Sequence, residues 1–165
     1  MIKKKICMLG AFAVGKTSLV QRYVHSLFSD KYHTTVGVKI DKKPVNINGT
    51  PVDLILWDIY GEDEFQAVRS SYLRGASGCL LVVDGTRRYT LDTAHDLLKR
   101  TQETVGNIPV VFVFNKFDLM DSWEIEPIQL DALEKQGMVI VRTSAKEASG
   151  VEKAFTTLVE MMLEE

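Results

Sequence analysis

Apolar residues fall along this chain in short unbroken runs, separated by stretches where they recur every three or four positions. Unbroken runs fit strands covered on both faces, and the three-to-four spacing fits helices with one buried stripe. Residues 5–9 read as a strand, and 17–25 as a helix with Leu19, Val20, Tyr23 and Val24 at helical spacing. Residues 26–35 are polar and irregular, after which strand composition returns over 36–47 and again over 52–57. Between those two runs stands Asn48-Gly49, a two-residue turn signal whose residues both take positive φ, so the runs pair antiparallel. A polar segment with a short helix leads to about Leu73. Strands over 79–84, 110–114 and 138–141 then alternate with helices. The helix over 90–105 turns Leu91, Ala94, Leu97, Leu98 and Val105 inward, the next lies between Pro127 and Gly137, and the last buries Val151, Ala154, Phe155, Leu158 and Met162.

This alternation predicts a single α/β domain over residues 1–165. Its architecture is a three-layer sandwich: a six-stranded, mostly parallel sheet with one antiparallel edge hairpin and about five helices on both faces. Ligands of such sheets gather at the carboxyl ends of the strands. The polar motifs of this chain fall at those ends.

Composition narrows the ligand and the setting. A net charge of −2 over 165 residues gives no whole-molecule basic field, which argues against a nucleic-acid partner. The one compact basic run, Lys3 to Lys5, reads as a solvated strand entrance. Cys7 and Cys79 lie in apolar runs, as free buried thiols of a reducing compartment do. No stretch reaches the roughly 20 apolar residues of a spanning helix. Ile2 follows Met1 and no cysteine lies near Glu165, so no membrane anchor is expected in this chain. A cytoplasmic monomer is expected, with membrane association left to a partner or to a missing C-terminal tail.

The stretch Gly10-Ala11-Phe12-Ala13-Val14-Gly15-Lys16-Thr17-Ser18 fits GxxxxGK[ST] between a strand and a helix, the context of a phosphate-binding loop. Backbone N–H groups over Ala13, Val14, Gly15, Lys16, Thr17 and Ser18 and the helix dipole would face a polyphosphate. Lys16 would reach the terminal phosphate, and the Thr17 hydroxyl would ligate Mg²⁺. In Asp58-Ile59-Tyr60-Gly61, Asp58 can hold a Mg²⁺-bound water and Gly61 can present its N–H to a γ-phosphate. In Asn115-Lys116-Phe117-Asp118, Asp118 can accept from the N1 and 2-amino donors of guanine, which adenine lacks, while Asn115 and Lys116 brace the loop and cover the base. Thr143-Ser144-Ala145-Lys146 supplies a backbone N–H near Ala145 for the guanine carbonyl.

With these motifs in place, the chain resembles a small GTPase of the Ras superfamily, most of all its Rab branch. The resemblance runs over residues 4–163 and is carried further by Thr34-Thr35-Val36-Gly37-Val38, Leu56-Trp57-Asp58, Ser71-Tyr72-Leu73-Arg74-Gly75-Ala76 and Thr143-Ser144-Ala145-Lys146-Glu147. It implies a P-loop NTPase fold, Mg²⁺ with GTP or GDP as ligand, and a switch read by effector, exchange-factor and GTPase-activating proteins. It also implies that Phe28 packs on the guanine, that Thr35 closes over Mg²⁺ and the γ-phosphate as switch I, and that residues 58–72 form switch II. Residues 30–57 would carry the effector, with Trp57 either its anchor or a half-buried strand residue.

Three positions depart from the family pattern: Phe12 and Tyr60 replace small residues, and Glu62 replaces the water-positioning glutamine. An ionised glutamate accepts but cannot donate, and it sets a negative charge against a developing one, at up to about 4 kcal/mol for charges ~4 Å apart at an effective dielectric of 20. Phe12 and Tyr60 would crowd the corner through which a partner's arginine enters. No arginine in 26–35 could act in cis, and Arg69 and Arg74 read as a solvated helix face. Slow hydrolysis follows, with Lys16, Thr35, Gly61 and Glu62 as the catalytic set. Two alternatives stay open: Glu62, desolvated by Tyr60, is protonated and donates, or the chain is a non-hydrolysing GTP-binding scaffold. An adenine-specific kinase is opposed by Asp118.

Overall fold

The structure, a computed structural model, describes residues 2–29, 37–61 and 67–164. Thr35 and Glu62 lie outside the described residues. The strands are β1 (Ile2–Gly10), β2 (Val38–Ile47), β3 (Thr50–Ile59), β4 (Gly78–Asp84), β5 (Val110–Asn115) and β6 (Val139–Arg142). The helices are α1 (Lys16–His25), α2 (Ser70–Leu73), α3 (Tyr89–Val105), α4 (Pro127–Lys135) and α5 (Val151–Leu163), with a 3₁₀ turn over Phe117–Ser122. The six strands form one sheet in the order β2-β3-β1-β4-β5-β6, antiparallel only between β2 and β3.

The continuous apolar strands are explained by two cores, one on each face of the sheet. In β1, Ile6 and Met8 point to the core closed by α1 and α5, whereas Cys7 and Leu9 point to the core closed by α2, α3 and α4. Val111 and Val113 alternate with Phe112 and Phe114 in the same way along β5. Tyr23 of α1 and Phe155 of α5 stack in parallel with ring centroids 3.9 Å apart, which fixes the two helices of the first face to each other. On the second face α3 buries Leu91, Ala94 and Leu97 as its spacing predicts. A capping box between Glu126 and Gln129, with Pro127 in the first turn, starts α4.

β1 is longer than its apolar run. Its first half pairs only with β3, from Ile2 against Val52 onward, and β4 joins at Ile6, so the Lys3–Lys5 stretch runs along a half-open entrance. The hairpin turn has φ 52° at Asn48 and 86° at Gly49, as the two-residue turn requires. β2 closes the sheet as an edge strand with Lys39, Lys42 and Pro44 exposed, side chains that discourage pairing with a further strand. Among the described residues no helix is long and apolar enough to cross a membrane.

Candidate functional site

The loops after β1, β3, β4, β5 and β6 meet at one rim of the sheet. After β1, the chain turns through Ala13 at φ 64° and Gly15 at φ 106°. A side chain on Gly15 would meet the Asn115 amide at 2.2 Å as well as the strain of that φ, so glycine is demanded twice. Ala13 takes the left-handed region with a β-carbon in place, at a cost of roughly 1–2 kcal/mol. Gly15 is also the N-cap of α1 and brings no side-chain cap hydrogen bond to its first turn.

Lys16 is buried and donates from Nζ to the carbonyls of Gly10 (3.3 Å) and Ala11 (3.1 Å), bridging the loop it belongs to. Its ammonium pKa is lowered to about 8, by burial first and by Arg87 after it, against the upward pull of the Asp58 carboxylate. Thr17 Oγ1 donates to Asp58 Oδ2 at 2.6 Å. The other oxygen of Asp58, Oδ1, is buried without a hydrogen-bond partner among the described residues. Burial raises the Asp58 pKa, against the opposing pull of Thr17, Lys16 and Lys39. A hydroxyl and a carboxylate held together beside a phosphate loop, with one carboxylate oxygen unsatisfied, fit Mg²⁺, which takes few protein ligands and completes its shell with phosphate oxygens and water. Thr17 and Asp58 would hold the ion from this side. Thr35, the third expected ligand, lies outside the described residues.

Gly61 comes against the same loop: a β-carbon there would lie 2.3 Å from Phe12 Cα and 2.7 Å from Phe12 N. Only glycine permits that approach. Phe12 itself is 37% exposed at the rim. Tyr60 corrects the sequence expectation. Its ring is buried in the second-face core, edge-on to Tyr72 at 6.2 Å, and its hydroxyl donates to the Ala67 carbonyl. An apolar ring beside a core strand gains more by burial than by standing over a phosphate loop, so Tyr60 does not obstruct that corner.

The base end is assembled by side chains that reach from one loop to another. Asn115 Nδ2 donates to the Val14 carbonyl at 3.0 Å, and its Oδ1 accepts from Thr143 Oγ1 at 3.0 Å. Lys116 Nζ donates to the Ala13 carbonyl at 3.2 Å. Ser144 Oγ donates to Asp118 Oδ1 at 2.8 Å and accepts from the Glu147 N–H at 3.1 Å. Ala145 is buried and Lys146 is exposed. Arg22 of α1 donates to the carbonyls of Ala145 and Lys146, both at 2.8 Å, and its guanidinium lies 5.8 Å from the ring centroid of half-buried Phe28. Phe28 is thereby set beside the 144–146 loop.

Three residues of this rim were not singled out from sequence. Arg22 carried no signal, being an ordinary polar position of an amphipathic helix. Asp84 did carry one: it is an acidic residue closing an apolar strand at the rim where Asp58 and Asn115 close theirs, and it is fully buried. Arg87, three residues on, sends Nη2 to the Phe12 carbonyl at 2.9 Å.

The family model described as "Ras family" matches residues 5–164. Relatives include the Ras-related protein RABA5a of Arabidopsis thaliana, 37% identical over 94% of this chain and 71% of its own length. The Ras-related protein RGP2 of Oryza sativa subsp. japonica is 34% identical over 94% of this chain and 72% of its own. The Ras-related protein Rab11E of Lotus japonicus is 36% identical over 92% and 71%. A phosphate loop, a Thr–Asp pair and an Asn-Lys-Phe-Asp loop at one rim, within a chain matched end to end at this level, make the protein a member of the Ras family, a small GTPase of the Rab branch.

Proposed function

We propose that the protein is a guanine-nucleotide switch that binds GTP or GDP with Mg²⁺ and hydrolyses GTP slowly. The observation that carries this reading is the physical joining of the two half-sites: Asn115 and Lys116 of the base loop donate to the carbonyls of Val14 and Ala13 of the phosphate loop. Base and phosphates would thus be read by two loops tied together through side-chain hydrogen bonds. Asp118 selects guanine, because an adenine ligand would leave its carboxylate facing no donor. Ser144 orients that carboxylate, and the backbone N–H of Ala145 receives the guanine carbonyl. Phe28 covers the ring, and Lys146 lies at its open side.

At the phosphate end Lys16 neutralises terminal oxygens and Gly61 offers its N–H to the γ-phosphate. Thr17, Asp58 and Thr35 would hold Mg²⁺, which would supply charge neutralisation at the phosphates. Thr35 and Gly61 are the groups that a lost γ-phosphate releases, and this release is the switch. The partners are effector, exchange-factor and GTPase-activating proteins. They would meet the β2–β3 edge, where Ile40 is 52% exposed opposite Trp57 and Lys5 Nζ stands 3.5 Å over the Trp57 ring. A cytoplasmic setting fits this chemistry.

Slow hydrolysis rests on Glu62, which lacks the donor of a glutamine. Removing one well-aimed donor costs roughly 10²-fold to 10³-fold in rate. In a single-turnover assay Glu62→Gln should release phosphate faster than the wild type, and an unchanged or slower rate removes the role given to Glu62. The non-hydrolysing reading is favoured by exposed Phe12 at the loop, and it predicts no phosphate release from wild type over hours. Competition of GTP against ATP with Mg²⁺ present tests the whole reading, which fails if neither nucleotide is preferred.

A further inference from the structure

We propose that Asp84 and Arg87 form a positioning clamp that holds the phosphate loop in its nucleotide-binding shape and couples it to the guanine loop. This inference rests on the guanine-nucleotide reading above. Asp84 ends β4 with its carboxylate wholly buried. Its Oδ2 lies 2.8 Å from both Lys116 Nζ and Arg87 Nε, and its Oδ1 accepts from the N–H (2.9 Å) and hydroxyl (2.7 Å) of Thr86. Burial alone would raise the Asp84 pKa, but Lys116, Thr86 and Arg87 together hold it below the usual carboxylate range, so it is an anion at neutral pH.

The two cations that Asp84 orients then act on adjacent peptide units of the phosphate loop. Arg87 Nη2 donates to the carbonyl of Phe12 (2.9 Å) and Lys116 Nζ to that of Ala13 (3.2 Å). Asn115 takes the next carbonyl, that of Val14, at 3.0 Å. Three successive carbonyls are therefore held from outside the loop, across the residue with φ 64°. An L-residue stays in that region only when its surroundings over-determine it. Phe12 is also the residue whose backbone Gly61 approaches, so its carbonyl connects the clamp to the start of switch II.

Nothing in phosphate-loop chemistry demands an arginine from the loop after β4. The guanidinium is suited to the task because it is a rigid fork: Nε stays on Asp84, Nη1 donates to Tyr89 Oη at 2.7 Å, and Nη2 remains for Phe12. A lysine at position 87 would bring a single nitrogen where the guanidinium places three, each on a different partner. Arg87 is a positioning residue, acting on the nucleotide through the loop.

The test compares wild type, Arg87→Ala, Arg87→Lys and Asp84→Asn by release of a fluorescent GDP and by affinity for GDP and for guanosine. Loss of one charge-assisted hydrogen bond corresponds to about tenfold. Arg87→Ala should release GDP about tenfold faster and bind it correspondingly more weakly, while guanosine, which has no phosphate for the loop, binds within about twofold of wild type. Arg87→Lys should recover little of this, and Asp84→Asn should weaken GDP at least as much as Arg87→Ala because it loosens both cations. Release within twofold of wild type in Arg87→Ala overturns the clamp, as does full recovery in Arg87→Lys or an equal loss for guanosine and GDP. Should Arg87→Ala fail to fold, Arg87→Lys decides alone: wild-type release overturns the proposal and faster release with unchanged guanosine affinity supports it. A wild type that prefers neither GDP nor GTP over ATP removes the nucleotide reading itself, a different result from unchanged release in a protein that binds GDP.

Discussion

The two ends of the nucleotide site are built differently. At the base end the donors and acceptors are matched within the protein: Asn115 on Val14 and Thr143, Lys116 on Ala13 and Asp84, Ser144 on Asp118, Arg22 on the 145–146 backbone. At the metal end Asp58 keeps a buried oxygen with no partner among the described residues, and burial raises its pKa. A buried polar group left unpaired costs about 1–3 kcal/mol, more when charged. On the proposed reading the base end is shaped before the ligand arrives, whereas the metal end would be completed by it. A switch needs that division, because a ligand moves an equilibrium only where it interacts differently with the two states.

Breaking the base end should give the largest effect. Asp118→Ala removes two hydrogen bonds to a charged acceptor, worth about 1.5–3 kcal/mol each. The expected result is a loss of GDP affinity of roughly 10²-fold to 10⁴-fold, with little change for ADP. Titration with both nucleotides checks it, and retained preference for GDP would show that the base is read elsewhere.

The metal end should respond in the opposite sense for stability and for binding. Asp58→Asn keeps the shape but removes the charge, so Mg²⁺ should cease to strengthen GTP binding, at a cost of about 10²-fold, while the nucleotide-free fold gains or holds stability. The pH dependence follows from the raised pKa: the unfolded carboxyl titrates near 3.8 and the folded one above it, so the folded form holds the proton longer. Nucleotide-free stability therefore falls as pH rises through that window, and Asp58→Asn flattens the slope. Affinities in Mg²⁺ and in EDTA, with urea melts at several pH values, decide this. A variant that keeps the full Mg²⁺ effect would refute the role given to Asp58.

What could be read from sequence follows the same division. The fold was legible because both faces of the sheet are covered, which leaves strands such as 79–84 apolar throughout and helices such as 90–105 with one clear stripe. The gathering of the described motif residues at one rim was legible because phosphate and guanine chemistry would restrict residue type at fixed spacing. The ties between loops were not, since Arg22 to Ala145 and Arg87 to Phe12 join residues 123 and 75 apart in the chain. Tyr60 was misplaced for a related reason: sequence sets it beside a phosphate motif, but only the packing of Tyr72 and Ala67 shows which way the ring turns.

A smaller effect separates the two ends by proton uptake. Lys16 belongs to the phosphate end, buried, with its pKa lowered to about 8. A polyphosphate favours the charged ammonium, so the bound protein holds a proton that the free protein has begun to lose. Binding GDP should then take up about half a proton at pH 8 and close to one at pH 9, and affinity should fall toward about tenfold per pH unit above 8. Below pH 7 Lys16 is charged in both states and its contribution should vanish. Calorimetry in two buffers of different ionisation enthalpy reads the uptake directly. Uptake near zero at pH 9 would mean that the ammonium is already fully charged without nucleotide, and that the phosphate end, like the base end, is electrostatically complete before the ligand binds.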